Sequence, residues 1–348
     1  MNKRNLYKIL LFSISFSVLG FMVYKIGVDT IVRGLVEIRL WFFVIVFLWF
    51  IVYILNALAW KVMICNEKGE KKPSFAFLLR MTITGFAINY ITPFAEIGGE
   101  PYKIMHLKEY MGSIKATSSV ILYSMMHVFA HIIFWMISIV LILIFYRLSW
   151  APFVLLSVLF TVFFFAVLLF LKGYRKGMIV RTFRIMEKIP FIKKWARQTG
   201  ETKSDRLREM DYHISHLHTH RRSSFYCSFF VELASRFLIC CEVNIIMFAL
   251  AGMFPELHVS FLDAIIITAG YSLFANMVFF IPMQIASKEG GYMLAFETLS
   301  LPSSPAFIIG IITRIRELFW IFIGIILLKT NREKLKSNYI DIKNGYSE

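Results

Sequence analysis

The chain has 348 residues, of which 58% are hydrophobic and only 17% charged, and its mean hydropathy is +0.67. A soluble domain of this size needs far more polar surface and a disordered chain far less apolar content, so both classes are excluded. The formal charge of +16 would suggest nucleic acid in a soluble protein, but here it reads first as the lysine and arginine excess that membrane proteins keep on the cytoplasmic side.

A spanning helix needs about 20 apolar residues. In chain order six runs predict one: Ile9–Ile26, Leu40–Ile64, Ala116–Phe145, Pro152–Leu171, Ser224–Ala251 and Ala306–Leu328. The basic start (Lys3, Arg4, Lys8) precedes the first run with no small-residue cleavage site, so that run reads as a retained span. Phe75–Thr92 and Phe261–Pro282 are different. Each apolar limb runs into a Pro- and Gly-bearing break and then a second short helix-like piece. The segment Lys172–Arg222 carries 14 Lys and Arg against 5 acidic residues. Within it Ile179, Phe183 and Met186, then Leu207, Met210, Ile214 and Leu217, recur at helical spacing. They predict two amphipathic helices on the inner leaflet, drawn there by anionic lipids. The run His213, His216, His218, His220 has no metal-ligand pattern around it, and no nucleic-acid module is recognisable. Cys65, Cys227, Cys240 and Cys241 lack metal or redox spacing and read as buried small hydrophobes.

Charge decides the sidedness. Of the 38 Lys and Arg, 29 lie in the first eight residues, in 61–72, in 103–115, in the long loop and after 328. The connections Val28–Arg39, Tyr146–Ala151, Gly252–Ser260 and Ser300–Pro305 together hold three. The rich set is expected in the cytoplasm, with both termini, and the poor set outside. Phe75–Tyr102 and Phe261–Leu299 must then each return to its own face, as re-entrant hairpins from opposite sides. The expected fold is all-α: a polytopic integral membrane protein with six spanning helices plus two re-entrant or broken helix hairpins in an inverted repeat. One domain covers 1–330, with half-repeats at about 1–171 and 224–330, the basic loop 172–223 between them and a cytoplasmic tail, 331–348.

The two breaks share a pattern. In the first, Pro93 is followed by Gly98, Gly99, Glu100 and Pro101. In the second, Pro282 is followed by Ser287, Lys288, Glu289, Gly290 and Gly291. In both, a Glu stands seven residues after the Pro and beside a Gly pair. The prolines end one helix, the glycines permit close approach, Pro101 suits a new first turn, and Ser287 is expected to cap the second short helix. Interrupted helices in matching positions of two halves point to a transporter's binding site, and irregular backbone at membrane depth needs a wet or protein-lined cavity. Both short helices would aim their N-termini inward, where phosphate or carboxylate is favoured. Glu232 and Arg236, four apart, are read as an intramembrane charge pair, and Arg314, Arg316 and Glu317 as functional candidates in the last span. His127 and His131 lack a third ligand and read as polar packing. No metal, ATP-binding loop, catalytic motif or cofactor is predicted.

Two segments resemble a known family. Asn89–Lys108, with Thr92-Pro93, Gly98-Gly99-Glu100-Pro101 and Leu107, resembles the first signature of the lysylphosphatidylglycerol synthetase transmembrane-region family, also called flippase-like. Ile281-Pro282 through Glu289-Gly290-Gly291, then Arg314-Ile315-Arg316-Glu317-Leu318-Phe319-Trp320, resembles the second, with Pro282-Met283-Gln284 departing from the usual Pro-Gly-Gly-like turn. The resemblance implies a flippase-like lipid protein of the bacterial inner membrane, handling aminoacylated or other phospholipids. The chain ends about 20 residues after its last span, so no soluble aminoacyl-transfer domain, and no synthase activity, is expected. The leading functional expectation is a lipid translocase. A headgroup amine would meet Glu100 and Glu289 at a common central site, with Asn89 and Glu317 lining it. Free N–H groups at the short helices' N-termini, with Lys288, Arg314 or Arg316, would hold the phosphate. The alternatives are a membrane-embedded lipid-modifying enzyme using Glu100 or Glu289 as acid or base, and a non-catalytic accessory protein serving a separate envelope enzyme.

Overall fold

The computed structural model describes residues 20–64, 72–92, 98–176, 222–255, 260–278 and 286–345, the short piece 207–212, and single positions 17, 180, 198, 205, 257, 281 and 284. Every regular element among them is helical. After a helical stretch at 20–26 come α1 (Val28–Glu37), α2 (Trp41–Met63), α3 (Phe75–Ile91), α4 (Gly99–Met111) and α5 (Ser113–Phe145). They are followed by α6 (Trp150–Lys176), α7 (Arg222–Leu250), α8 (Phe261–Met277), α9 (Ser287–Thr298) and α10 (Ser303–Gly345). Most of the expected Ile9–Ile26 span, most of the basic loop with its histidine run, Cys65, Pro93 and Pro282 lie outside the described residues.

Among the described residues four helices are long and apolar enough to cross a membrane: α2, α5, α7 and the Trp150–Gly173 part of α6. They coincide with four of the six predicted spans. The predicted span Ala306–Leu328 is part of one continuous helix, α10, but Arg314, Arg316 and Glu317 set its composition apart. Those charges do not face lipid. The buried face of α10 runs through Ile309, Ile312, Arg316, Glu317 and Trp320, the three-to-four spacing of a helix with one inward stripe. By contrast α6 is almost wholly outward-facing. Among its described side chains only Phe170 is buried, stacked 4.4 Å from Phe129 of α5. In hydrocarbon such a surface carries no penalty. Cys227, expected inside, is also exposed, whereas Cys240 is buried.

The broken segments give matched pairs. α3 and α8 are both 17 residues long, and each is capped by a Ser immediately before a Phe. Ser74 accepts from the Phe77 N–H and Ser260 from the Leu262 N–H, both at 3.2 Å. At about 1.5 Å per residue these limbs approach the thickness of the hydrocarbon, while α4 and α9, with 13 and 12 residues, fall well short of it. Packing is reciprocal. α3 lies against α10 and α4 against α5 in one set of contacts; α8 lies against α5 and α9 against α10 in the other, and α2 and α7 form the most extensive pairing between them. Small residues allow the crossings. A methyl added at Gly324 would lie 3.1 Å from the Ile83 carbonyl oxygen, and one at Gly291 would lie 3.0 Å from the Tyr271 Cα. Gly112 ends α4 and starts α5 at φ 76°, a left-handed conformation that glycine adopts without strain.

At the far end of α5 the Tyr146 hydroxyl donates to the Asp263 carboxylate in the first turn of α8. Burial and that carboxylate raise the phenol's pKa above its ordinary value. In the described part of the basic loop, Leu207 turns into a core cluster with Met63, Phe129 and Phe225, with Met210 packed against it. These two residues of the predicted amphipathic stripe therefore face protein, because the ends of α2, α5 and α7 offer them an apolar surface.

Candidate functional site

The second break positions a network of charges deep among the helices. α9 begins at Ser287 after Ala286, which takes a left-handed conformation at φ 64°, and Gln284 does the same at φ 50°. Ser287 is not the capping side chain that the sequence suggested. It is the first helical residue, and its buried hydroxyl makes no hydrogen bond, since the left-handed turn at Ala286 enters the helix without one. That turn sends Lys288 and Glu289 toward α10. Glu289 is fully buried and accepts two bonds from Arg314, at 2.7 Å from Nε and 3.0 Å from Nη2. Arg314 also donates to the Gln284 carbonyl at 3.0 Å and to the Tyr90 hydroxyl at 2.6 Å. One guanidinium thus ties α9, the break before it and α3 together, using the fixed fork of donors that only arginine has.

Tyr90 in turn donates to Glu317 at 2.8 Å, and Glu317 pairs with Lys288. Arg316 faces a different neighbour. It donates to both oxygens of Glu242 on α7, at 2.9 and 3.0 Å, and stacks 3.7 Å over Trp49, whose indole N–H donates to the same Glu242 at 2.8 Å. Three carboxylates meet three cations, so the cluster is neutral as a whole. Paired, hydrogen-bonded charges are the form in which ionisable groups tolerate a low-dielectric interior. The cations named for a phosphate are already engaged: Lys288, Arg314 and Arg316 each hold a carboxylate. Any bound phosphate must compete with one of them.

The first break builds a smaller, more open group. Asn89, near the end of α3, accepts from the Gly99 N–H at 2.5 Å and donates to Glu100 at 3.4 Å. Asn89 thus clamps the start of α4 across the break, satisfying an N–H that a helix start leaves over. Pro101 occupies the third helical position and Glu100 the second, in the first turn. Glu100 lies 3.8 Å from Lys103, and 29% of its side chain is exposed against 8% for Lys103. The Lys103 ammonium sits over the rings of Trp60 and Tyr123, at 5.7 and 5.5 Å. Beyond it on α7, Glu232 and Arg236 are 3.6 Å apart, and His127 of α5 bridges them. The i, i+4 spacing of Glu232 and Arg236 puts both on one face.

The two groups meet at the end of α3. Consecutive residues there point opposite ways: Asn89 to Gly99 and Glu100, Tyr90 to Arg314 and Glu317. Pro93 and Pro282 are outside the described residues. Gly98, Gly99, Gly290 and Gly291 flank the two carboxylates, and Gly98 and Gly99 leave no room for a side chain. Sequence reasoning missed Tyr90, Trp49, Trp60 and Tyr123. In a chain so rich in aromatics they carry no signal beyond apolar bulk, and only Tyr90 had a cue, its place beside Asn89. Among the described residues no group of three His, Cys, Asp or Glu is placed to hold a metal ion.

Two glycines seat the charged stems. A methyl at Gly310 would sit 2.9 Å from the Glu289 Cγ, and one at Gly85 would sit 2.6 Å from the Lys103 Cε. Helix propensity alone favours alanine by about 1 kcal/mol. Gly310→Ala is expected to reverse that sign and destabilise by about 1–3 kcal/mol through overpacking, read by thermal unfolding in detergent. Gly85→Ala should cost less, because a lysine stem can swing aside. An unchanged or raised melting temperature for Gly310→Ala would mean that Glu289 is not held where α10 passes.

Comparison with curated proteins and with solved structures gives no match. The family model described as "Lysylphosphatidylglycerol synthase TM region" matches residues 6–325, nearly the whole chain, and takes in both breaks and both charge groups. With its membrane-spanning helices and a match of that extent, the chain belongs to the lysylphosphatidylglycerol synthase transmembrane-region family.

Proposed function

We propose that this chain is a lipid translocase of the bacterial inner membrane, and not an enzyme, that passes a phospholipid headgroup through the polar seam between its two broken helices. The observation that carries the reading is the contrast between the two charge groups. The carboxylates of the Glu289–Arg314, Glu317–Lys288 and Glu242–Arg316 pairs are buried, while Glu100 is partly open and loosely paired. A headgroup bearing both an amine and a phosphate suits such a seam. Its amine takes Glu100 and its phosphate takes Lys103, so one ion pair exchanges for two without stranding a charge. The inner pairs then offer the same exchange further along. An aminoacylated phospholipid fits this charge requirement, and the family's name agrees with it.

The equal lengths and caps of α3 and α8, with their reciprocal packing, support an inverted repeat whose breaks enter from opposite faces. In that arrangement both termini and the basic loop are cytoplasmic, and the loop's net positive charge meets anionic inner-leaflet lipids. The test is reconstitution into liposomes with headgroup-labelled phosphatidylglycerol, lysyl-phosphatidylglycerol and phosphatidylethanolamine, followed by leaflet accessibility over time. Faster crossing of at least one headgroup than in protein-free liposomes is expected. No acceleration for any of the three would reject the reading.

A further inference from the structure

Arg236 sits against the His127 ring closely enough to oppose a second charge there. The His127 Nδ1 lies 3.0 Å from the Glu232 Oε2, and the Arg236 Nη2 lies 2.6 Å from its Nε2 and 2.9 Å from its Nδ1. One Nη2 so near both nitrogens lies over the ring, not on the lone-pair axis of either. A guanidinium keeps its charge throughout. With the ring neutral, the contact holds one positive charge. If a proton binds the ring, two positive charges face each other at 2.6 Å, and the contact must open.

We propose that His127 is a proton-binding site that couples lipid movement to a pH gradient, with Arg236 as the part that moves; this rests on the translocase reading above. Protonation adds an N–H bond to the ring and opposes only the Arg236 contact. Glu232 keeps its partner, since the ring now carries a charge that its carboxylate attracts. Arg236 loses one, being held to Glu232 only at 3.6 Å and having a buried Nε with no hydrogen bond.

The surroundings weight the switch from every side. From α7, Glu232 favours the protonated ring and Arg236 opposes it. From α4, Lys103 opposes it, with Glu100 behind. On α5 itself, the Tyr123 ring lies 6.2 Å from the His127 ring, and His131 packs edge-on to His127 at 5.5 Å, stacked on Trp135. Access is graded too: 35% of the His127 side chain is exposed, against none of Glu232. α7 carries the signal onward, because Glu242, which holds Arg316 of the second network, lies further along the same helix.

Two measurements test this. The first is nitrogen-15 NMR of ring-labelled histidine in nanodiscs, with His127→Gln to assign the resonance. The His127 ring is expected to change from neutral to charged between about pH 8 and 5, the range in which histidine switches. A ring that stays neutral throughout overturns the proposal. The second uses liposomes holding a pH gradient with the membrane potential clamped at zero and lysyl-phosphatidylglycerol as probe. One proton per lipid sustains about a tenfold leaflet asymmetry per pH unit. That is expected of the wild type, and an asymmetry near one of His127→Gln. The same asymmetry in both proteins, or wild-type crossing that ignores the gradient, overturns coupling. If the ring titrates but no lipid crosses in any condition, the translocase reading fails and the proton site stands.

Discussion

Replacing Arg314 by Gln is expected to destabilise the protein by about 3–5 kcal/mol, the range seen when one partner of a buried ion pair is removed and the other charge is stranded. Glu289 is fully buried, and Arg314 supplies two of its hydrogen bonds. The same substitution removes the bonds that Arg314 donates to the Gln284 carbonyl and the Tyr90 hydroxyl. Arg314→Lys should rescue little, since a single ammonium cannot span the carboxylate, the carbonyl and the phenol together. The double variant Arg314→Gln/Glu289→Gln should be more stable than Arg314→Gln alone, because it leaves no unpaired charge. Thermal unfolding of the three proteins in one detergent gives the cycle, with a coupling of about 1–3 kcal/mol expected. Additive losses would mean that the pair does not act as a unit.

Glu100→Gln should behave in the opposite way. Its carboxylate is partly exposed and 3.8 Å from Lys103, a pair worth no more than about 1 kcal/mol, so expression and melting should stay near wild type. Lipid crossing should fall about ten- to a hundredfold, corresponding to a lost charged hydrogen bond of about 1.5–3 kcal/mol with the headgroup amine. Glu289→Gln should lose both crossing and stability, because it also removes the carboxylate that accepts two bonds from Arg314. The crossing defects of the two variants should not add in the double mutant if one route uses both carboxylates. Wild-type crossing by a well-folded Glu100→Gln protein would remove Glu100 from the route and leave it a first-turn residue of α4.

The residues alone determined the membrane class, the existence and approximate extent of α2, α5, α6 and α7, the two helix breaks, and the i, i+4 relation of Glu232 and Arg236. Each of these is local: a run of apolar side chains, a Pro or Gly where a helix cannot continue, or a spacing along one helix face. The partners were decided only in three dimensions. Glu289 chooses Arg314, Arg316 reaches back 74 residues to Glu242, and Tyr90 meets Glu317 from 227 residues away. Ser287 lost its expected capping role to a left-handed turn at Ala286 for the same reason, since Arg314 fixes the break by its Gln284 carbonyl. In lipid, hydrophobicity places a helix in the membrane without choosing which of its faces meets which neighbour. That choice falls to small residues such as Gly85, Gly310 and Gly324, which set how closely helices cross, and to the requirement that every buried charge find its opposite.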